Sequence, residues 1–213
     1  MPVNPSEFGP LKERYSWDIP GLEAVEKLAL TVDPEPEHAF QVCAVCLDLF
    51  DVLRDIHGLG APERRLLATA ALLHDTGWST RPDAHHKGSR DIIMKTKLPG
   101  FPVRERRILA CLARYHRGTH PKPSHKVYSD LDRGARDLVG RLAAILRIAD
   151  GLDRTHTASA CGVRVERKGA ALRLLVDQRQ PNPTDIWGAM RKRGLFEEVF
   201  GFTVDIATDE ETP

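Results

Sequence analysis

The sequence predicts a mainly α protein, a helical bundle carrying a small C-terminal α+β appendage made of a β-hairpin, a helix and a strand. Three observations lead there. Apolar residues recur at helical spacing from about residue 37 to 154. Near Val163 the period changes to 2, the alternation of a half-buried strand. Several of the helices also carry a histidine or aspartate on the apolar stripe itself, where a polar group is costly unless something compensates it. The chain divides accordingly into a lead segment at 1–36, a metal-binding helical domain at 37–156 and the appendage at 157–213.

Each element has its own warrant. The Pro-rich lead holds a short helix near Gly21 to Leu30. Residues 37 to 56 place apolar side chains at 39, 42, 43, 46, 49, 50 and 53, and glycines 58 and 60 end that helix. Pro62 suits the first turn of the next, which runs to about His74 and stops near Gly77. A polar loop, Trp78 to Gly88, precedes a short helix from Ser89 to Lys97. Leu98-Pro99-Gly100-Phe101-Pro102 is a turn, and Val103 to His116 is helical. After a basic loop, a long helix spans roughly Leu131 to Arg154. Val163 to Glu166 and Ala171 to Val176 form a hairpin about Lys168-Gly169. Ile186 to Phe200 reads as one helix and Phe202 to Ile206 as a strand, and the hairpin leaves an edge on which a homo-oligomer could form.

The composition is that of a globular protein, 41% hydrophobic and 29% charged over 213 residues. No apolar run approaches the roughly 20 residues needed to span a bilayer, so no membrane partner is expected. Met1 to Trp17 has no apolar segment of the kind a signal peptide needs. The 4 cysteines do not make a disulfide framework, and Cys43 and Cys46 read as small core residues. A cytoplasmic location is the expectation. Net charge is +1, but it is segregated: Arg81 to Lys126 holds 12 Lys/Arg against 3 Asp/Glu, whereas Met1 to Gly60 holds 4 against 11. The basic stretch suits a wall facing an anionic small molecule, with no specific nucleic-acid binding expected.

The chemistry centres on His38, the pair His74-Asp75, and Asp150. Val139, Leu142, Ala143 and Leu146 precede Asp150 by 11, 8, 7 and 4 residues and share its helix face. Leu66, Leu67 and Ala70 stand in the same relation to His74, and Ile108, Leu109 and Leu112 to His116. A divalent ion is the simplest reason for such groups to converge. Nitrogen and oxygen ligands without thiolate suit Mn, Fe, Co, Ni, Zn or Mg, one or two ions per chain. His74 and Asp75 end a helix where adjacent ligands can face one ion or a carboxylate can bridge two. His116 with His85 or His86 would raise the set to six, enough for two ions and for phosphoryl displacement by a metal-activated water. Lys87, Arg90, Arg114, Arg117 and Arg154 lie near these ligands in sequence, and Lys87, Arg117 and Arg154 are the preferred phosphate holders. His57 sits in a helix-ending turn, and His120, His125 and His156 have no stripe behind them, so all four read as non-ligands.

The order H…HD…D resembles the HD superfamily of metal-dependent phosphohydrolases. More closely, "HGLGAPERRLLATAALLHDTGW", "HHKGSRDIIM", "LPGF", "LARYHR", "LAAILRIADGLDR" and "WGAMRKRGLFEEVFG" resemble the HD-like C-terminal region of the exopolyphosphatase / guanosine pentaphosphate phosphatase family, over roughly residues 35 to 206. The resemblance implies an HD-type bundle with His38, His74, Asp75 and Asp150 as metal ligands and Asp75 as the bridge. It implies His74 and Asp75 as the catalytic dyad. Six-ligand relatives add two histidines, and their pattern favours His85, four residues before Ser89, over His86, together with His116. The family's phosphatase chemistry resides in an actin-like ATPase-fold module that has no counterpart in these motifs, and a GYP signature is lacking. Many full-length members carry Glu in place of the Asp of the dyad, whereas His74-Asp75 is intact here. The expected function is metal-dependent hydrolysis of a nucleotide or related phosphoester or phosphoanhydride. The alternative is a non-catalytic module that binds nucleotide or polyphosphate.

Overall fold

The computed structural model describes Tyr15, Ile19 and residues 21–209. Met1 to Trp17, read above for a leader, lies outside the described residues apart from Tyr15. The chain is mainly helical with a small three-stranded sheet at its C-terminal end. In order, the elements are α1 (Glu23–Val32), α2 (Pro36–Val52), α3 (Arg54–His57), α4 (Ala61–Leu73), α5 (His85–Lys95), α6 (Val103–Tyr115), α7 (Lys126–Ser129), α8 (Arg133–Gly151), β1 (Ala160–Lys168), β2 (Ala171–Gln178), α9 (Pro183–Lys192), α10 (Gly194–Phe200) and β3 (Thr203–Thr208). No helix among the described residues is long and apolar enough to cross a membrane.

Helices α2, α4, α6 and α8 pack against one another and bury the stripes read from the sequence. α8 is the axis of the bundle. Asp132 caps it, its carboxylate accepting the Ala135 N–H at 2.8 Å, and residues 142–146 on its inner turns are wholly buried. β1 and β2 pair antiparallel, Val163 opposite Val176, and turn at Gly169, whose φ of 61° suits glycine. β3 runs parallel to β2, with Ile206 opposite Leu174. The sheet is not separate from the bundle: Leu172, Leu174, Val204 and Ile206 belong to the same apolar cluster as α2 and α8, and α9 and α10 both pack on α8.

Three boundaries differ from the sequence reading. The helix expected to start at Ser89 starts at His85, preceded by a single 3-10 turn at Pro82–Ala84. Gly88 thus sits inside a helix, and the Gly77 backbone lying against it leaves little room for a side chain: a Cβ on Gly88 would stand 3.0 Å from the Gly77 Cα. The helix expected over 37–56 breaks at Leu53, and the one expected over 186–200 breaks at Arg193. Both breaks leave the apolar rhythm nearly intact, which is why periodicity alone did not reveal them.

Candidate metal centre

Three helix ends and two helix starts supply the cluster. His74 and His116 each follow the last turn of a helix, α4 and α6. Carbonyls there lack intrahelical partners. Each histidine meets that need with Nδ1–H, His74 donating to Ala71 O at 2.7 Å and His116 to Ala113 O at 2.8 Å. The bond fixes the tautomer and turns the Nε2 lone pair inward. His38, near the start of α2, donates Nδ1–H to Asp153 Oδ2 at 2.8 Å, with the same result. Asp150 comes from the last turn of α8, and His85 opens α5.

The ligand atoms form three overlapping groups, each within 4.8 Å: His38, His74 and Asp75; His74, His116 and Asp150; Asp75, His85 and His116. Asp75 faces both sides. Its Oδ2 lies 3.6 Å from His74 Nε2 and 3.9 Å from His38 Nε2. Its Oδ1 lies 3.3 Å from His85 Nε2 and 3.4 Å from His116 Nε2. Asp150 Oδ1 stands 3.5 Å from His38 Nε2. All six side chains are buried. His74 Nε2 and Asp75 Oδ1 are buried without a hydrogen-bond partner. Orphaned acceptors of this kind are expensive, and a divalent ion with N/O ligands relieves both, so the donor set fits such an ion.

The electrostatics agree. Burial opposes ionisation of Asp75, yet His74 and His116 outweigh it and hold the carboxyl down at about 2. Burial opposes charge on Asp150 too, but the Lys192 ammonium paired with its Oδ2 holds it well below the usual range. Burial pushes His116 far down, so it is a neutral donor at physiological pH. His38 goes the other way: burial disfavours its cation, but Asp150 and Asp153 raise it to about 10. A divalent ion facing Nε2 would take the place of that proton.

Around the cluster opens a cavity of about 530 Å³. Arg117, Arg147, Arg154, Arg191 and Lys192 line it. Arg117 donates to His85 Nε2 at 3.1 Å. Arg147 is buried and ties down the turn after α6, donating to Tyr115 O at 2.9 Å and Gly118 O at 3.1 Å. Of the three residues preferred from sequence as phosphate holders, Arg117 and Arg154 line the cavity. Lys87 is not among the residues that line it; two positions after His85 on α5, it falls on a different face of the helix. Arg90 pairs with Asp91, and Arg114 lies over the Tyr115 ring. His86 stays outside the convergent groups, lowered to about 4 chiefly by burial and by Arg114.

Sequence reading missed several neighbours. Asp153 orients His38 and sits three residues after Asp150, a spacing that could have placed both on one face. Trp78 stacks on His85 with ring centroids 4.4 Å apart and donates its indole N–H to Asp75 Oδ2 at 3.2 Å. His156, set aside above, stacks on His38 at 3.9 Å and pairs with Glu35. Its φ of 56° is uncommon for a residue with a Cβ. His57, His120 and His125 keep to partners elsewhere, and the buried Cys43 and Cys46 are core residues.

No curated protein matches the chain. The family model described as Ppx/GppA phosphatase, domain III, matches residues 22–181, which include all six convergent ligand residues but not Trp187, Arg191 or Lys192. With more than half its length matched, the chain belongs to the Ppx/GppA phosphatase domain III family.

Proposed function

We propose that this chain is an HD-type, metal-dependent phosphohydrolase acting on a nucleotide or related phosphoester or phosphoanhydride. One observation carries the reading: six buried N/O ligands converge at a cavity walled by cations, and Asp75 turns one oxygen to each pair of histidines. His38, His74, Asp75 and Asp150 would hold one divalent ion, and Asp75, His85 and His116 a second. Such ions supply Lewis acidity, which polarises a phosphoryl oxygen and makes water nucleophilic near neutral pH. The chain's own residues do the rest. Arg117, Arg154, Arg191 and Lys192 take the phosphate oxygens and offset their charge. Trp78 and Asp153 keep Asp75 and His38 aimed inward. Water adds to phosphorus, the bond from phosphorus to the leaving oxygen breaks, and that oxygen departs with a proton.

A second reading is favoured by Lys192 and Arg117, which already pair with Asp150 and His85. Two such cations could serve a module that binds phosphate without hydrolysing it. Elemental analysis of the purified chain, with phosphate release from nucleotides and short polyphosphates in Mn, Co, Ni, Fe and Mg, separates the two. The hydrolase should carry metal and turn over, Asp75→Ala should lose both, and His116→Ala should halve the metal per chain. A metal-loaded wild-type chain that releases no phosphate from any of these ligands leaves the binding module standing.

A further inference from the structure

Trp187 is the least explained side chain of the cavity. It lines the wall, is 51% exposed, and projects from α9 beyond the residues the family model matches. The other cavity tryptophan, Trp78, is committed to His85 and Asp75. Trp187 makes no hydrogen bond among the described residues, and the guanidinium groups of Arg154 and Arg191 lie over its ring at 5.5 and 5.1 Å. An open indole beside flat cations makes a surface for a flat, uncharged ring.

The platform is held rigidly. A Cβ on Gly188 would lie 2.6 Å from Gly151 O, and one on Gly151 would lie 2.6 Å from the Ala189 Cα, so α9 meets α8 backbone to backbone beside Asp150. Arg191 is one turn beyond Trp187 on the same face of α9. Lys192, five residues on and about 7.5 Å along the helix axis, pairs with Asp150. One side of the cavity therefore runs from an exposed aromatic, past two arginines, to a lysine at the ligand cluster.

From this we propose that Trp187 seats a nucleobase, so that the cavity takes a nucleoside polyphosphate in preference to a chain of phosphates alone. The proposal rests on the phosphate-binding reading of the cavity and not on turnover. An inorganic polyphosphate has no π face and gains nothing from an indole, whereas a base stacked on one gains about tenfold to a hundredfold in affinity.

The test is calorimetric titration of the full chain with the non-hydrolysable β,γ-imido analogues of ATP, GTP and UTP, and with tripolyphosphate. Wild type should bind at least one analogue more tightly than tripolyphosphate. Trp187→Ala should weaken that analogue about tenfold or more and leave tripolyphosphate within about twofold, while Trp187→Phe should restore most of the loss. Equal losses for both ligands, no loss for the analogue, or no preference in wild type overturns the base seat and leaves the phosphate reading intact. Failure of every ligand to bind overturns both.

Discussion

Replacing Gly77 by alanine tests how the two halves of the cluster are held together. Gly77 follows the His74-Asp75 pair and abuts the first turn of α5. A Cβ there would stand 2.2 Å from His85 O, 2.3 Å from Ser89 N and 2.7 Å from Gly88 C. All three are backbone atoms, so no rotamer change relieves the contact, and α5 must retreat by roughly 1 Å to restore ordinary separations. The retreat stretches the bond from Gly77 N–H to Ser89 Oγ, now 2.9 Å. Overpacking of this kind costs about 1–3 kcal/mol and the strained hydrogen bond about 1 kcal/mol more. For a chain of this size the sum lowers Tm by roughly 5–15 °C. His85 moves with the backbone, beyond the ~0.5 Å within which a ligand keeps its geometry. The ion assigned to Asp75, His85 and His116 should therefore lose about tenfold to a hundredfold in affinity, while the one assigned to His38, His74, Asp75 and Asp150 is retained. Thermal unfolding followed by circular dichroism, with metal per chain from elemental analysis, reads both effects. Ser89→Ala is the control, removing the hydrogen bond without the clash at a cost of about 1 kcal/mol. A Gly77→Ala protein that melts within 2 °C of wild type (roughly the shift that 1 kcal/mol would produce) and carries the same metal would refute the reasoning.

Two further outcomes are expected. His57 commits both ring nitrogens in its neutral form, Nε2–H donating to Phe50 O at 2.7 Å and Nδ1 accepting Leu59 N–H at 2.9 Å, and burial lowers its pKa from 6.5. As pH falls below about 6.5 the unfolded chain takes up a proton at this position that the folded chain refuses, so stability is lost in that direction. Urea titrations at pH 7.5 and 5 should show a smaller loss for His57→Gln than for wild type, and equal losses would count against the assignment. Asp153→Asn removes the charge behind His38 and one of two acceptor bonds, since Asp153 Oδ1 also accepts Ala158 N–H at 2.8 Å. Metal affinity by chelator competition should fall about tenfold to a hundredfold, and the His38 titration, held at about 10 before metal is added, should move down; an unchanged titration would show that Asp153 does not orient this ring.

What the sequence determined by itself is the set of polar groups bound to reach the interior. A histidine or aspartate that shares a face with three or four apolar residues must be buried when that face is buried, and helical periodicity suffices to show it for His74, His116 and Asp150. The same rule marks the change from bundle to sheet near Val163. The choice of His85 over His86 had no such support in the residues, because α5 begins inside a polar stretch that reads as a loop; it came from resemblance. In the structure, Gly77 presses on the backbone of α5 and turns His85 toward Asp75 and His116 while leaving His86 aside. Tertiary structure alone decided the cavity's other wall. Lys192 reaches Asp150 from 42 residues away, and Trp187 and Arg191 arrive with it, because Gly151 and Gly188 let two helices touch backbone to backbone. Periodicity is a property of one helix and states which face turns inward. Which helix that face will meet, and how closely, depends on where side chains are small enough to let backbones approach, and only the packed chain settles that.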